Sequence, residues 1–299
     1  MKDFRKEVCN IYLMIVLLVI PVIFRYNYQD ISSFKVMLYL LVSGIFLILS
    51  LIIVIGTFVQ KRQWGIPMRT PGEMLQTISM LDWGILIFGV ISLFSSFTTR
   101  YGAVKSLLAS ESVFVGGALL FMLMISYFII SRYADPDRTG WVRGFYISSF
   151  IVVLLGILNH IGIDPLGMHK NNASTTILTM ASTIGNVDFL YGYLSLITIF
   201  FCAYRMGMER DKKIYIVDGL LLLCFMATWS ARASAVFTGL FFGVLILFYM
   251  ALGSFDRMKN LFWIGLLSGV GGVIDKLLAI AGVGIYNTLY KEKIGRAHV

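Results

Sequence analysis

The chain has 299 residues, of which 58% are hydrophobic and 14% are charged, and its mean hydropathy is +0.84. Soluble domains average roughly 45–50% apolar and about 25% charged residues, so this composition excludes an ordinary soluble protein. The formal net charge is +9, but the Lys and Arg residues are scattered through short connections, which excludes a nucleic-acid-binding basic domain.

Apolar runs long enough to cross a bilayer recur along the chain. A spanning segment needs about 20 mostly apolar residues, and it must be helical because backbone groups in lipid have to bond within their own segment. The sequence therefore predicts an all-α, polytopic transmembrane bundle of about nine spans, forming a single domain over residues 1–293. The predicted spans are 10–24, 36–59, 78–97, 112–131, 141–159, 186–204, 214–230, 235–252 and 261–283.

The basic residues predict the orientation of these spans. Fifteen Lys and Arg residues fall in one set of alternate connections and six in the other, and positively charged connections stay in the cytoplasm. We therefore expect a cytoplasmic N-terminus. The two sets are Lys2, Arg5, Lys6, Lys61, Arg62, Arg69, Arg132, Arg138, Arg143, Arg205, Arg210, Lys212, Lys213, Arg257 and Lys259, against Arg25, Lys35, Arg100, Lys105, Lys170 and Arg232.

The ninth span contains the adjacent pair Asp275 and Lys276, so an alternative is that it ends near Ile274. The final six residues, IGRAHV at 294–299, are the hexapeptide that one reading frame of a common sequencing adapter encodes. We therefore expect residues 294–299 to be an artefact and the chain to be the N-terminal part of a longer protein.

The segment TRYGAVKSL, residues 99–107, is basic and predicted to be external. Arg100 and Lys105 would supply anion-binding capacity there. The alternative is an interfacial anchor for the neighbouring spans.

The segment STIGNVDFLYGYL, residues 182–194, opens the sixth predicted span from the outside. Gly185 permits a close backbone approach, and Asn186 is suited to cap the helix. Such a helix end, with free N–H groups and a positive dipole, can receive a phosphate. The alternative is an ordinary capped helix start. Asp188, one turn into the helix, is a candidate to orient Arg232 or an acceptor.

The segment TWSARAS, residues 228–234, places Arg232 in a connection of a few residues between two spans. An arginine among small residues at the membrane surface needs a polar partner or an anionic ligand, and its planar fork suits phosphate. The alternative is an arginine that snorkels to the interface.

These segments together resemble the external elements of the O-antigen ligase/polymerase family. Residues 182–194 are similar to its G-T-x-G-N-x-N…G-Y-L stretch, TWSARAS to its T-x-S-R-small stretch, and TRYGAVKSL to its R-Y-x-G element. The resemblance implies a bacterial inner-membrane glycosyltransferase that takes a glycan from a polyprenyl-pyrophosphate carrier at the outer face and passes it to a lipid or glycan acceptor. It implies pyrophosphate binding by Arg232, Arg100 and Lys105, and a catalytic histidine in a later external loop.

No nucleotide-binding, zinc-protease or serine-hydrolase motif is present, and the three histidines form no metal-binding pattern. We therefore expect metal-independent chemistry without a cofactor. The rival function is a transporter or lipid-linked glycan flippase, which would carry charged residues well inside several spans. A third possibility is a receptor or an assembly scaffold. In this sequence the charges concentrate at the span ends, which favours transfer chemistry at the outer surface.

Overall fold

The computed structural model describes residues 2–25, 31–64, 77–100, 102–108, 115–135, 139–167, 180–208, 213–231 and 234–282. Within these ranges the chain is all-helical and contains no strand, which confirms the predicted fold class for the described residues. The predicted artefact at 294–299 and Arg232 lie outside the described residues. The α-helices are α1 (Lys2–Met14), α2 (Ile20–Val22), α3 (Ile31–Gln63), α4 (Met80–Thr98), α5 (Ala103–Leu108), α6 (Gly117–Tyr133), α7 (Gly140–His160), α8 (Val187–Gly207), α9 (Lys213–Ala231), α10 (Ser234–Ala251) and α11 (Phe255–Ile280).

Six helices in the described part of the chain are long and apolar enough to cross a membrane. The chain is therefore a multi-pass membrane protein by the length and composition of its helices. The apolar helices α6 and α10 are shorter, and the N-terminal helix is divided by a π-helical turn at Ile15–Val19. The six spanning stretches are Ser33–Gln63, Met80–Thr98, Gly140–His160, Asp188–Gly207, Lys213–Ala231 and Phe255–Ile280.

The Cα positions cluster into two compact units. Unit 1 comprises Met1–Ile23 and Ser32–Tyr146, and unit 2 comprises Phe24–Ile31 and Ile147–Val299. The boundary falls within α7. The single domain predicted over residues 1–293 stays a prediction.

Unit 1 contains a cluster of hydroxyl groups from three helices. The Tyr12 hydroxyl of α1 lies 2.8 Å from the Ser43 hydroxyl of α3 and 2.9 Å from the Ser126 hydroxyl of α6, and Tyr39 donates to Ser126 at 3.2 Å. All four side chains are buried. Because a buried hydroxyl is costly without a partner, these bonds connect α1, α3 and α6 at a defined register.

A capping box fixes the start of α4 in unit 1. Ser79 accepts a hydrogen bond from the Asp82 N–H, and the Asp82 carboxylate accepts one from the Ser79 N–H. The same carboxylate accepts hydrogen bonds from the Tyr127 hydroxyl at 2.9 Å and from Arg132 at 3.3 Å. Asp82, in the first turn of α4, therefore also connects this helix to the end of α6.

The central helix of unit 2 is α8, which contacts α9, α10 and α11. Leu190, Leu194, Ile197 and Phe201 are all fully buried. Their spacing of four, three and four residues places them on one helical face, which forms the apolar core of the unit.

The direction of the helices in unit 2 follows from their contacts. Arg205 near the end of α8 bonds Asp218 near the start of α9, so these two helices are antiparallel. Gly239 and Gly243 of α10 pack against Ser195 and Ile199 of α8 in the same order, so α8 and α10 are parallel. The absence of a Cβ at both glycines lets the two helices approach closely.

Helix α11 runs parallel to α9. Trp263 Nε1 donates to Asp218 at 3.0 Å near the start of both helices, and Ser230 donates to Asp275 near the end of both. Helix α11 continues through Asp275 to Ile280, so the helix does not end near Ile274. Where the membrane span ends stays a prediction. The serine of α9 supplies a polar partner, which allows the carboxylate to stay inside the helix bundle.

Candidate functional site

Unit 2 has two ends of different chemistry. At the first, α8 and α10 begin and α9 and α11 end, and we call it the Asn186 end. At the second, α8 and α10 end and α9 and α11 begin, and we call it the Arg205 end. The length of α8, at about 1.5 Å per residue, separates the two ends by roughly 30 Å.

A buried turn leads into α8 at the Asn186 end. Ser182–Ile184 form a 3-10 turn, and Gly185 follows with a φ of +81°, a left-handed conformation that glycine adopts readily. A Cβ added to Gly185 would lie 2.9 Å from the Ile31 side chain. Gly185 therefore lies against Ile31 without room for a Cβ, while its role at a ligand site stays a prediction.

Asn186 is the N-cap of α8, as predicted. Its side-chain oxygen accepts hydrogen bonds from the Asp188 N–H at 2.8 Å and the Phe189 N–H at 3.3 Å. The expectation that this helix end keeps its N–H groups free for a phosphate is wrong for these two, because the cap uses them. Asp188 is exposed in the first turn, where its negative charge suits the helix dipole and opposes a bound anion. Cationic side chains must then supply any phosphate binding at this end.

Ser182 is a residue that the sequence reasoning missed. It is fully buried, its φ is +51°, and its hydroxyl donates to the Val152 carbonyl oxygen of α7 at 2.6 Å. A left-handed conformation is unfavourable by roughly 1–2 kcal/mol for a residue with a Cβ. The hydrogen bond to α7 offsets this and fixes the turn that precedes Gly185. The Ser/Thr-rich run before α8 gives no signal that distinguishes Ser182.

The end of α9 carries the second polar element. The Ser230 hydroxyl donates to Asp275 Oδ1 at 2.7 Å, and Trp229 Nε1 donates to the Ser268 carbonyl oxygen at 3.0 Å. Asp275 is 8% exposed. An ionisable side chain inside a span is expensive and marks a functional position. The sequence contains this signal at Asp275, but it also fits a span that ends near Ile274.

Arg232 lies outside the described residues, in the connection between the two helices that flank it. Helix α9 ends at Ala231 and α10 begins at Ser234. Because α10 begins beside the first turns of α8, both of these helix boundaries belong to the Asn186 end. The same end therefore carries Gly185, Asn186 and Asp188 from one predicted motif, and Ser230 from the other.

Arg100 and Lys105 lie in unit 1, on either side of a tight turn. Helix α4 ends at Thr98, Gly102 has a φ of +87°, and α5 begins at Ala103 with the Ser106 N–H bonded to the Gly102 carbonyl oxygen at 3.1 Å. Both basic side chains are exposed. The two predicted cations thus lie just after the end of α4 and within α5, both in unit 1. Their external location stays a prediction.

Among the described residues, the Asn186 end carries the carboxylates Asp188 and Asp275 and the Ser230 hydroxyl, with the exposed Lys276 beside Asp275. Within the ranges that the structure describes, no group of three or more His, Cys, Asp or Glu side chains is arranged to hold a metal ion. The three cysteines, Cys9, Cys202 and Cys224, are buried and free. Neither a protein-family model, nor a curated protein, nor a solved structure matches the chain.

Proposed function

We propose that the chain acts in bacterial cell-surface polysaccharide assembly, as the transmembrane part of a glycosyltransferase of the O-antigen ligase/polymerase type. The donor is a glycan linked to a polyprenyl-pyrophosphate carrier at the outer face of the cytoplasmic membrane. The acceptor is a lipid or a growing glycan. The proposal includes nine spans with the N-terminus in the cytoplasm, which puts the Asn186 end outside.

One observation carries the proposal. The two sequence segments that resemble the family in unit 2 are separated by more than thirty residues, yet the described helices bring their boundaries to one end of the unit. The buried Asp275 carboxylate lies at that same end, bonded to Ser230. A polar end of this kind supports chemistry at the membrane surface.

The reaction makes a specific demand on this end. The acceptor hydroxyl attacks the anomeric carbon, the bond from that carbon to the pyrophosphate breaks, and the pyrophosphate leaves with the electron pair. Negative charge therefore grows on the leaving oxygen. A guanidinium at Arg232 stabilises that charge, with Arg100 and Lys105 as further candidates for the carrier phosphates. The acceptor proton passes to a general base.

Asp275 enters the proposal as a positioning residue. Its bond to Ser230 holds the last turn of α9, two residues before Arg232. Asp188 is the second carboxylate at this end, and we assign it the same kind of role toward Arg232 or the acceptor.

The test of the proposal substitutes Arg232 in the enzyme as it occurs in its source cell. Arg232→Ala should lower the rate of glycan transfer by roughly 100–1,000-fold, the loss expected when one fixed donor to developing charge is removed. Arg232→Lys should recover part of the rate, because lysine keeps the charge but loses the bidentate fork.

Arg62→Ala is the matched control, because Arg62 is an exposed arginine in the last turn of α3. It should leave transfer unchanged. Normal transfer by the Arg232→Ala enzyme at normal abundance in the membrane would make Arg232 an interface anchor and would contradict the proposed site.

A further inference from the structure

The Arg205 end of unit 2 contains a cavity of about 710 Å³. It lies where α8 ends and where α9 and α11 begin, so it is separated by the length of α8 from the site proposed for glycan transfer. The three cationic side chains that line it come from α8 and α11: Arg205, Arg257 and Lys259. One acidic side chain, Asp256, also lines it.

Arg205 is buried at the cavity with only part of its guanidinium satisfied. Its Nε donates to Asp218 Oδ1 at 2.7 Å, and the residue is 6% exposed. The other Asp218 oxygen accepts a hydrogen bond from Trp263 Nε1 at 3.0 Å. Arg205 Nη1 is buried and has no hydrogen-bond partner in the part of the chain that the structure describes. A buried guanidinium N–H without an acceptor is unfavourable, so this site has donor capacity that an anion can use.

Among the described residues at the cavity, the balance of charge is positive. Asp218 compensates Arg205, and Asp256 compensates one of the two exposed cations, Arg257 and Lys259. One positive charge remains among these residues, and Arg257 Nη1 donates to the Met250 carbonyl oxygen at 3.4 Å. A singly charged anion matches this surplus.

The remaining lining includes the polar residues Ser254 and Asn260 and an apolar part along α11. Phe262 is 70% exposed and Leu266 is 48% exposed along α11, while Met206 and Ile214 close the inner side. Asn260 donates to the Met206 carbonyl oxygen at 3.3 Å, which fixes the first turns of α11 against the end of α8. Cations beside an exposed apolar helix face fit an amphiphile better than a small ion.

We propose that this cavity binds the phosphate group of an anionic phospholipid, with Arg205, Arg257 and Lys259 around the phosphate and an acyl chain along Phe262 and Leu266. The site is a structural lipid site that joins α8, α9 and α11. It does not take part in glycan transfer. In the proposed topology it faces the cytoplasm, where a bilayer surface carries anionic lipids that attract such cations.

The experiment measures lipid retention and thermal stability of the purified full chain. The probes are phosphatidylglycerol, phosphatidylcholine and inorganic phosphate, each added to the delipidated protein in a neutral detergent. Phosphatidylglycerol should raise the unfolding temperature and stay bound in native mass spectrometry. Phosphatidylcholine should do neither, because its headgroup is neutral overall.

The informative variant is the double substitution Arg257→Gln and Lys259→Gln, which leaves the Arg205–Asp218 pair intact. It should weaken phosphatidylglycerol binding by roughly tenfold or more, since each basic residue near a lipid surface contributes about 1 kcal/mol. The matched control is Lys61→Gln with Arg62→Gln, which removes one exposed lysine and one exposed arginine from the end of α3. This control should bind phosphatidylglycerol as the wild type does.

Equal retention of phosphatidylglycerol by both double variants would overturn the proposal. Equal effects of phosphatidylcholine and phosphatidylglycerol on the wild type would overturn it as well. Stabilisation by inorganic phosphate to the same extent would show a free-phosphate site and would contradict the assignment to a lipid.

Discussion

The charged side chains that are buried in the described helices, Asp82, Arg205 and Asp275, each have a polar partner. Asp82 is the third residue of α4 and is paired with Arg132, Arg205 is two residues from the end of α8 and is paired with Asp218, and Asp275 accepts from Ser230. Because an unpaired charge in lipid is costly, these three residues can be buried only together with their partners. A transporter would need charged residues that line a central pathway. Asp82, Arg205 and Asp275 instead bond to partners on neighbouring helices.

The ion pair between Arg205 and Asp218 should stabilise unit 2. Asp218→Asn should lower the free energy of unfolding by about 3–5 kcal/mol, because it leaves a buried guanidinium without its counter-charge. Asp188→Asn is the matched control at an exposed position and should change the stability by less than about 1 kcal/mol. Unfolding in mixed micelles, followed by circular dichroism, measures both. Equal stabilities of the two variants would show that the pair contributes nothing.

At Gly185 and Asn186 the sequence predicted the local structure because the determining interactions are local. A glycine before an N-cap asparagine and an apolar run is a signal contained in a few residues. The bonds from Ser230 to Asp275 and from Arg205 to Asp218 join different helices, and no periodicity in one sequence specifies such pairs. Ser182 also has no local signal, because its left-handed φ depends on a hydrogen bond to α7.

At the scale of elements, the spacing between helices is set by small residues. Gly271 of α11 lies against α9, where an added Cβ would be 2.9 Å from the Phe225 Cβ and 3.1 Å from the Met226 backbone nitrogen. At Gly269, two residues earlier, no described atom outside the local backbone of α11 lies within 4 Å of the Cβ position. A substitution at Gly271 therefore tests helix packing, whereas the same substitution at Gly269 tests helix propensity alone.

Gly271→Ala should destabilise the protein by about 1–3 kcal/mol, since a methyl group forced against backbone overpacks the contact between α9 and α11. Gly269→Ala should be neutral or stabilising by up to about 1 kcal/mol, because alanine is the better helix former. Thermal unfolding of the two variants gives the comparison. The account of this interface is wrong if Gly271→Ala is as stable as Gly269→Ala.

Six of the predicted spans overlap described helices that are long and apolar enough to cross a membrane, because those apolar runs are strongly hydrophobic. The total of nine spans stays a prediction. The ninth predicted span shows that hydropathy alone does not locate a helix end where charged residues occur. Asp275 and Lys276 lower its apolar character, but α11 continues to Ile280 because the carboxylate finds Ser230 on a neighbouring helix. Helix ends therefore depend on tertiary contacts where charges occur in the sequence.

At the scale of the whole molecule, the orientation in the membrane decides which end of unit 2 meets the carrier. The fifteen-to-six distribution of basic residues predicts that a cysteine introduced at Gly65 reacts from the cytoplasm and one at Asn172 from the outside. Cys9, Cys202 and Cys224 are buried, so background labelling by a membrane-impermeant thiol reagent should be low. Labelling in the opposite sense would reverse the topology and remove the Asn186 end from the outer face.

The central claim is glycan transfer from a lipid carrier at the outer face, and deletion of the gene tests it most directly. The deletion strain should lose a cell-surface polysaccharide and accumulate its polyprenyl-pyrophosphate-linked glycan. In spheroplasts this glycan should be accessible to an added lectin, because the carrier has already crossed the membrane. Accumulation that the lectin cannot reach would indicate a flippase, and an unchanged surface polysaccharide without carrier accumulation would contradict a role in glycan assembly.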